Sequence, residues 1–228
     1  TYDERITITP QPQSSITIMD QKTGQVKAMV GGRGEKASSL GLNRAYQGSK
    51  RQPGSTFKIL AAYAPALDSC DKTLATTIDD EPYTLKSGQV LRNANKQYGG
   101  TTTLREGIKR SINVVAVKLS DEITQELGYE YCQKFGISTL VKNKTINGKV
   151  FDDSTSQTLA LGGITEGVYN YEMCAAYATI ANGGEYNKPT LYSKVVDHDG
   201  NVLLDGTGES HTVIKDSTAY LLTSAMED

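Results

Sequence analysis

The 228-residue sequence predicts an α+β domain, and three observations carry that expectation. Two segments alternate apolar and polar residues on either side of a short polar break ending near a glycine, the pattern of a β-hairpin. Several longer segments repeat apolar residues at three- and four-residue steps, the pattern of a helix packed on one face. The two kinds of segment are mixed along a chain that shows no internal repeat and no low-complexity tract. At this length the chain holds one large domain or at most two small ones, with ample core, and residues 1–228 are assigned to one domain.

The elements follow in order. Ile16 and Ile18 alternate with polar neighbours, residues 20–24 break the run, and Val26, Ala28 and Val30 alternate again. This predicts two half-buried strands with those five residues turned inward, joined by a turn in which Gly24 takes a positive φ. Residues 31–54, rich in Gly, Ser, Lys and Arg, read as a loop. A helix is expected over residues 55–67, with Phe57, Leu60, Ala61, Ala64 and Leu67 on one face and Pro65 kinking or ending it. Residues 70–100 read as irregular. Thr102 or Thr103 caps a second helix, which breaks at Ser111 and resumes through "NVVAVKLSDEI". A helix over residues 122–135 precedes Gly136. Another, over residues 169–184, is closed by Asn182-Gly183-Gly184. A second hairpin is expected around residues 191–204, turning near Gly200, and a last helix over residues 217–226.

Composition narrows the function classes. A formal charge of −2 and a pI near 5.8 leave no basic excess to neutralise phosphates, which argues against nucleic acid as a partner. No apolar run reaches the 18 or so residues of a membrane span; those at residues 59–67 and 114–119 read as buried helix. The chain opens without a Met and without a signal peptide, as expected for a domain excised from something larger. Cys70, Cys132 and Cys174 have no metal-ligand spacing and are expected as buried free thiols. The only histidines, His198 and His211, fall in a turn and in a Gly/Ser-rich stretch, so both read as surface residues. A serine-histidine-aspartate enzyme would have little to work with, and an acyl-transfer site here needs another base.

Two short motifs could supply one. In Ser55-Thr56-Phe57-Lys58 the serine falls in the first turn of a predicted helix, one face-step from the lysine. A partly desolvated lysine has a lowered pKa and can take the serine proton, while the helix N-terminus offers N–H groups to an oxyanion. By itself the motif is weak and reads more readily as a surface capping serine beside a solvated lysine. In Ser111-Ile112-Asn113 a hydroxyl and a carboxamide flank one apolar residue, which alone could mark a helix kink. The two in this order are far more specific than either.

With "RQPGSTFK", "TLREGIKRSINVVAVKL" and "LALGGITEGVYNYEMCAAYATIANGGEYNKP" in that order, the sequence resembles the transpeptidase domain of class A (bifunctional) penicillin-binding proteins. The resemblance runs over roughly residues 14–228, and "DQKTGQVKAMVGG" and "LNRAYQ" resemble that domain's opening segment. It implies a central antiparallel sheet between helices beside a helical lobe, with the active site between them. It also implies a peptidoglycan D,D-transpeptidase: Ser55 as nucleophile, Lys58 as base, Ser111 as proton relay, and Asn113 holding substrate and orienting Lys58. Stem peptides and β-lactams would be its ligands, with no metal or cofactor. The parent protein would be membrane-anchored, carry an upstream glycosyltransferase domain and work on the extracytoplasmic face of a bacterial membrane.

Two motifs are read as decoys. Lys22-Thr23-Gly24 spells the family's third catalytic motif, but that motif belongs after the Ser-x-Asn motif, and no second K-T-G occurs. The expectation is a hairpin tip remote from Ser55, in a chain that stops before its K-T-G strand. A separate C-terminal fragment or self-association would then cover the open sheet edge. Glu166-Gly167-Val168-Tyr169-Asn170 spells the deacylating E-x-x-x-N of class A β-lactamases, but its flanks match the transpeptidase. The alternatives to an active transpeptidase are a catalytically incompetent half or scaffold, and a β-lactamase or D,D-carboxypeptidase.

Overall fold

The unbroken run of buried residues from Phe57 to Ala66 forms the centre of the core. A computed structural model describes residues 12–35, 39–46, 48–206 and 208–228; the first eleven residues, and Gln47 of the "LNRAYQ" segment, lie outside the described residues. The central helical segment changes pitch twice. It opens as a 3-10 turn, Gly54–Thr56, widens to a π turn, Ile59–Tyr63, and closes as α1, Ala64–Ser69. Pro65 has no N–H for the carbonyl of Ala61, four residues back. The helix does not end there: the chain widens to the π turn, in which the Ala64 N–H bonds the Ile59 carbonyl, and the segment runs on to Ser69.

Around this segment pack α2 (Leu104–Lys109), α3 (Asn113–Ile123), α4 (Gln125–Lys134), α5 (Asn170–Ala181) and α6 (Asp216–Glu227). α3 and α4 lie against the π turn, and α6 touches α1, α2 and α5. Thr103 caps α2 by accepting the Glu106 N–H. Gly183 and Gly184 follow α5 with positive φ, where a side chain on Gly184 would overlap the backbone of Ile214.

The strands are β1 (Ile16–Met19), β2 (Val26–Val30), β3 (Thr77–Asp80), β4 (Tyr83–Thr84), β5 (Val90–Leu91), β6 (Gly100–Thr103), β7 (Lys144–Ile146), β8 (Lys149–Phe151), β9 (Glu185–Asn187), β10 (Lys194–Val196), β11 (Val202–Asp205) and β12 (Ser210–Thr212). They pair as two-stranded antiparallel ribbons: β1 with β2, β3 with β6, β4 with β5, β7 with β8, β9 with β12, and β10 with β11. The expected central sheet is therefore represented, among the described residues, by ribbons of two strands. β7–β8 and β10–β11 close on themselves through short turns, so no strand among the described residues joins β1 on its second edge.

Three expectations need correction. Residues 70–100 are not irregular, for they hold β3, β4 and β5; strands of two to four residues with polar members such as Asp79 are too short for periodicity to reveal. The alternation in β1 and β2 is present but in the opposite phase at most positions. Ile16, Ile18 and Val30 are about half exposed, at 54%, 55% and 50%. Ala28 is exposed, and of the five residues expected inward only Val26 is half-buried. The inward face instead carries Thr17, whose hydroxyl donates to Asn170 of α5, and Met19, which packs on the core. Which face of a ribbon is covered depends on where α5 lies, and a one-residue choice inverts every side chain. Of the cysteines only Cys132 is buried; Cys70 and Cys174 are half-buried, and all three are free.

Both histidines are exposed as expected, His198 in the β10–β11 turn and His211 in β12, where its ring packs on Tyr186. No helix among the described residues is long and apolar enough to cross a membrane.

Candidate active site

Lys58 is buried, with 2% of its surface exposed, directly before the π turn. Its Nζ donates to Asn113 Oδ1 at 2.6 Å, to the Ser111 carbonyl at 2.6 Å and to Ser111 Oγ at 3.0 Å. An ammonium has three protons, so all three are directed at the Ser111–Asn113 motif. Burial lowers the Lys58 pKa from its ordinary 10.5 to about 8, toward the range in which an amine can act as a base.

The backbone explains how one short motif reaches Lys58 three times. α2 ends at Lys109, and Ser111 adopts φ +51°, a conformation a non-glycine residue rarely takes. That left-handed step turns the Ser111 carbonyl and hydroxyl to the same side. α3 then begins at Asn113 behind Ile112, which has no side-chain oxygen to cap it. Asn93 does so from outside: its Oδ1 accepts the N–H groups of Asn113 and Val114 at 3.0 and 3.2 Å. Asn93 is held in turn by its Nδ2 bonds to Asp80 Oδ1 and to the Gln97 carbonyl, while Asn113 Nδ2 donates to the Arg92 carbonyl. Sequence reasoning missed Asn93 and Asp80. The available signal was the apolar residue at the N-cap of α3, which obliges another group to satisfy the helix end.

Ser55 lies exposed in the 3-10 turn and lines the same cavity, about 200 Å³, as Lys58, Ser111 and Tyr177. Among the described residues no hydrogen bond joins Ser55 to Lys58, although one was expected. The lysine protons are already taken by Ser111 and Asn113, so the serine hydroxyl is left to the solvent side. The turn itself is firmly clamped. Gln52 bonds the backbone of Ile164 in both directions, Arg51 pairs with Val168, and Tyr177 donates its hydroxyl to the Thr56 carbonyl. Gly162, at φ +71°, packs on Gly54, whose nitrogen would lie 2.6 Å from an added Cβ. Gly162→Ala is therefore expected to displace the Ser55 turn. Labelling by a tagged penicillin should slow by about 10²-fold, with stopped-time gel fluorescence as the measurement.

The two decoy motifs fall elsewhere. Lys22-Thr23-Gly24 forms the β1–β2 turn, with Gly24 at φ +72° against residues 187–190, and contributes nothing to the cavity that Ser55 lines. Glu166 is bound by Lys144 and Lys50, whose hydrogen bonds bring its pKa down to about 2. Asn170 is the first residue of α5.

The chain matches the family described as "Penicillin binding protein transpeptidase domain" over residues 14–228. It is 37% identical over 224 residues to penicillin-binding protein 1A of Clostridium tetani, covering 93% of this chain and 27% of that protein. With penicillin-binding protein 1A/1B of Bacillus subtilis it is 29% identical, over 94% of this chain and 22% of that protein. The chain thus spans about a quarter of the length of these relatives. Its fold is similar to that of penicillin-binding protein 1A from Haemophilus influenzae, with a TM-score of 0.75, 26% identity, and 93% of this chain and 34% of that chain covered. It is equally similar to PonA1 of Mycobacterium tuberculosis in complex with penicillin V, with a TM-score of 0.76, 26% identity, and 94% and 55% covered. This chain belongs to the penicillin-binding protein transpeptidase family.

Proposed function

We propose that the chain carries the acyl-transfer centre of a peptidoglycan D,D-transpeptidase with Ser55 as nucleophile. The observation that supports this reading most directly is the buried Lys58 amine, held by Ser111 and Asn113 in a cavity that Ser55 lines. Ser55 Oγ attacks the carbonyl carbon between the two terminal D-alanines of a stem peptide, and its proton passes to Lys58 in the neutral form. The Ser55 N–H, at the start of the helical segment, faces the developing oxyanion. The C–N bond then breaks, and Ser111 hands the proton from Lys58 to the departing amine of D-alanine. An amine of a second stem peptide attacks the ester and releases Ser55, leaving a cross-link. A β-lactam follows the first step only: its ring C–N bond opens, no fragment leaves, and the acyl group stays on Ser55. In Asn113, Oδ1 orients Lys58 and the Nδ2 proton not given to Arg92 remains for the substrate amide. The work would be done on the extracytoplasmic face of a bacterial membrane, by a longer membrane-anchored protein with an upstream glycosyltransferase domain.

A second reading, a catalytically incompetent domain, is favoured by the absence of a Ser55–Lys58 hydrogen bond. Incubation with a fluorescent penicillin separates the readings. A stable label lost in Ser55→Ala supports the transpeptidase, release of hydrolysed drug a β-lactamase, and no label the incompetent domain.

The pH dependence offers a further test. Because Lys58 must be neutral to accept the proton, and its pKa lies near 8, acylation should speed up about tenfold per pH unit below 8 and level off above it. A rate independent of pH from 6 to 9 would remove Lys58 from the base role.

A further inference from the structure

We propose that a second cavity, separate from the one Ser55 lines, binds small organic cations through an ammonium group. The cavity is about 510 Å³, within the size range of small-molecule sites, and shares no lining residue with the Ser55 cavity. Its wall includes Glu172, which is only 3% exposed. The Glu172 carboxylate accepts the Ser138 hydroxyl at 2.5 Å, with longer contacts of 3.4 Å from the Ser138 N–H and the Tyr171 hydroxyl. All these donors are neutral, and among the described residues no lysine, arginine or histidine forms an ion pair with it. With the Tyr169 N–H the carboxylate has four neutral donors in all, but only the Ser138 hydroxyl is close, so a cationic donor can displace one of the weaker contacts.

Lys50, the lysine that feels the Glu172 charge, is engaged by Glu166, so no cation touches the buried carboxylate among the described residues, and an incoming ammonium would recover part of its desolvation cost. Desolvation accordingly raises the Glu172 pKa above its ordinary value.

The rest of the cavity suits the same ligand. Tyr46, Tyr171, Tyr186 and Tyr192 line it, and the first two lie ring to ring at 5.0 Å. Aromatic faces attract ammonium groups, most strongly where water is excluded. The one lysine of the lining, Lys188, is paired with Glu209, so it is not directed at Glu172. The balance is net negative, which disfavours an anionic ligand. An ammonium head would sit at Glu172, with the body of the ligand against the tyrosine rings.

The absence of Trp makes the tyrosine rings directly observable. The probe is methylammonium chloride, read by saturation transfer from the protein to its methyl protons, against sodium chloride at equal ionic strength. Expected is saturable binding that weakens at least tenfold in Glu172→Gln, which keeps an acceptor for Ser138, and in Tyr192→Ala. Stable penicillin labelling of Ser55 should be unchanged in both variants. Tyr192 is 46% exposed, so its removal leaves the core intact and decides the matter if Glu172→Gln fails to fold. No saturable transfer, or unchanged affinity in whichever variants fold, would overturn the proposal.

Discussion

Lys58→Met should reduce acylation of Ser55 by about 10²–10⁴-fold, the usual contribution of a positioned base, while leaving the fold in place. Methionine fills the same buried volume without a charge. The lowering of the Lys58 pKa from 10.5 to about 8 corresponds to roughly 3 kcal/mol against the charged form in the folded protein. Against that relief stand the acceptors on Ser111 and Asn113, which would lose their donor at about 1–3 kcal/mol. The two effects nearly offset, so the variant should differ from the parent by about 2 kcal/mol or less at pH 7. The pH dependence of stability should differ more clearly. Between about pH 8 and 10.5 the unfolded chain keeps the lysine proton while the folded chain has lost it, so parent stability rises with pH across that window. Below 8 both states are protonated and the full penalty applies; above 10.5 neither is, and it is gone. Chemical denaturation at pH 7 and pH 10 measures the effect, and the extra rise should vanish in Lys58→Met. An equal rise in parent and variant would show that Lys58 is not desolvated.

The largest loss of stability is expected from Gly128→Ala. Gly128 lies in α4 where the Ala61 carbonyl, released by Pro65 from its helical bond, meets the helix backbone, and a Cβ there would overlap that oxygen. Neither partner is the end of a flexible side chain, so α4 or the π turn must move. The cost is about 3 kcal/mol, or a Tm lower by about 6–12 °C for a chain of this size. Ala61 is less than one turn beyond Lys58, so penicillin labelling should slow as well. A Tm within about 2 °C of the parent would mean that the helix contact is loose.

The legible parts of this protein are those set by neighbours in sequence. Thr103 with Glu106 and Asn182 with two glycines announced helix ends, because capping is satisfied within four residues. The break at Ser111 was visible between two apolar helical runs, and Lys58 does meet Ser111 and Asn113. Short strands such as β4 and β5 were not visible, since two residues carry no period. Gln52 and Asn93, which clamp the Ser55 turn and cap α3, were also missed. Their partners lie far along the chain, and an amide side chain gives no sign of which backbone it will reach.

From the residues alone came the α+β class, the order of the main helices, both longer hairpins and the residue types able to move a proton from a serine. Only the tertiary structure decided that Lys58 is desolvated and spends its protons on Ser111 and Asn113 rather than Ser55. It also decided that Ile16 and Ile18 face outward while Thr17 meets α5. The physical reason is the same in both cases. Local pattern specifies which groups want burial or a partner, but burial and hydrogen bonding are completed by whatever other segment arrives on that face.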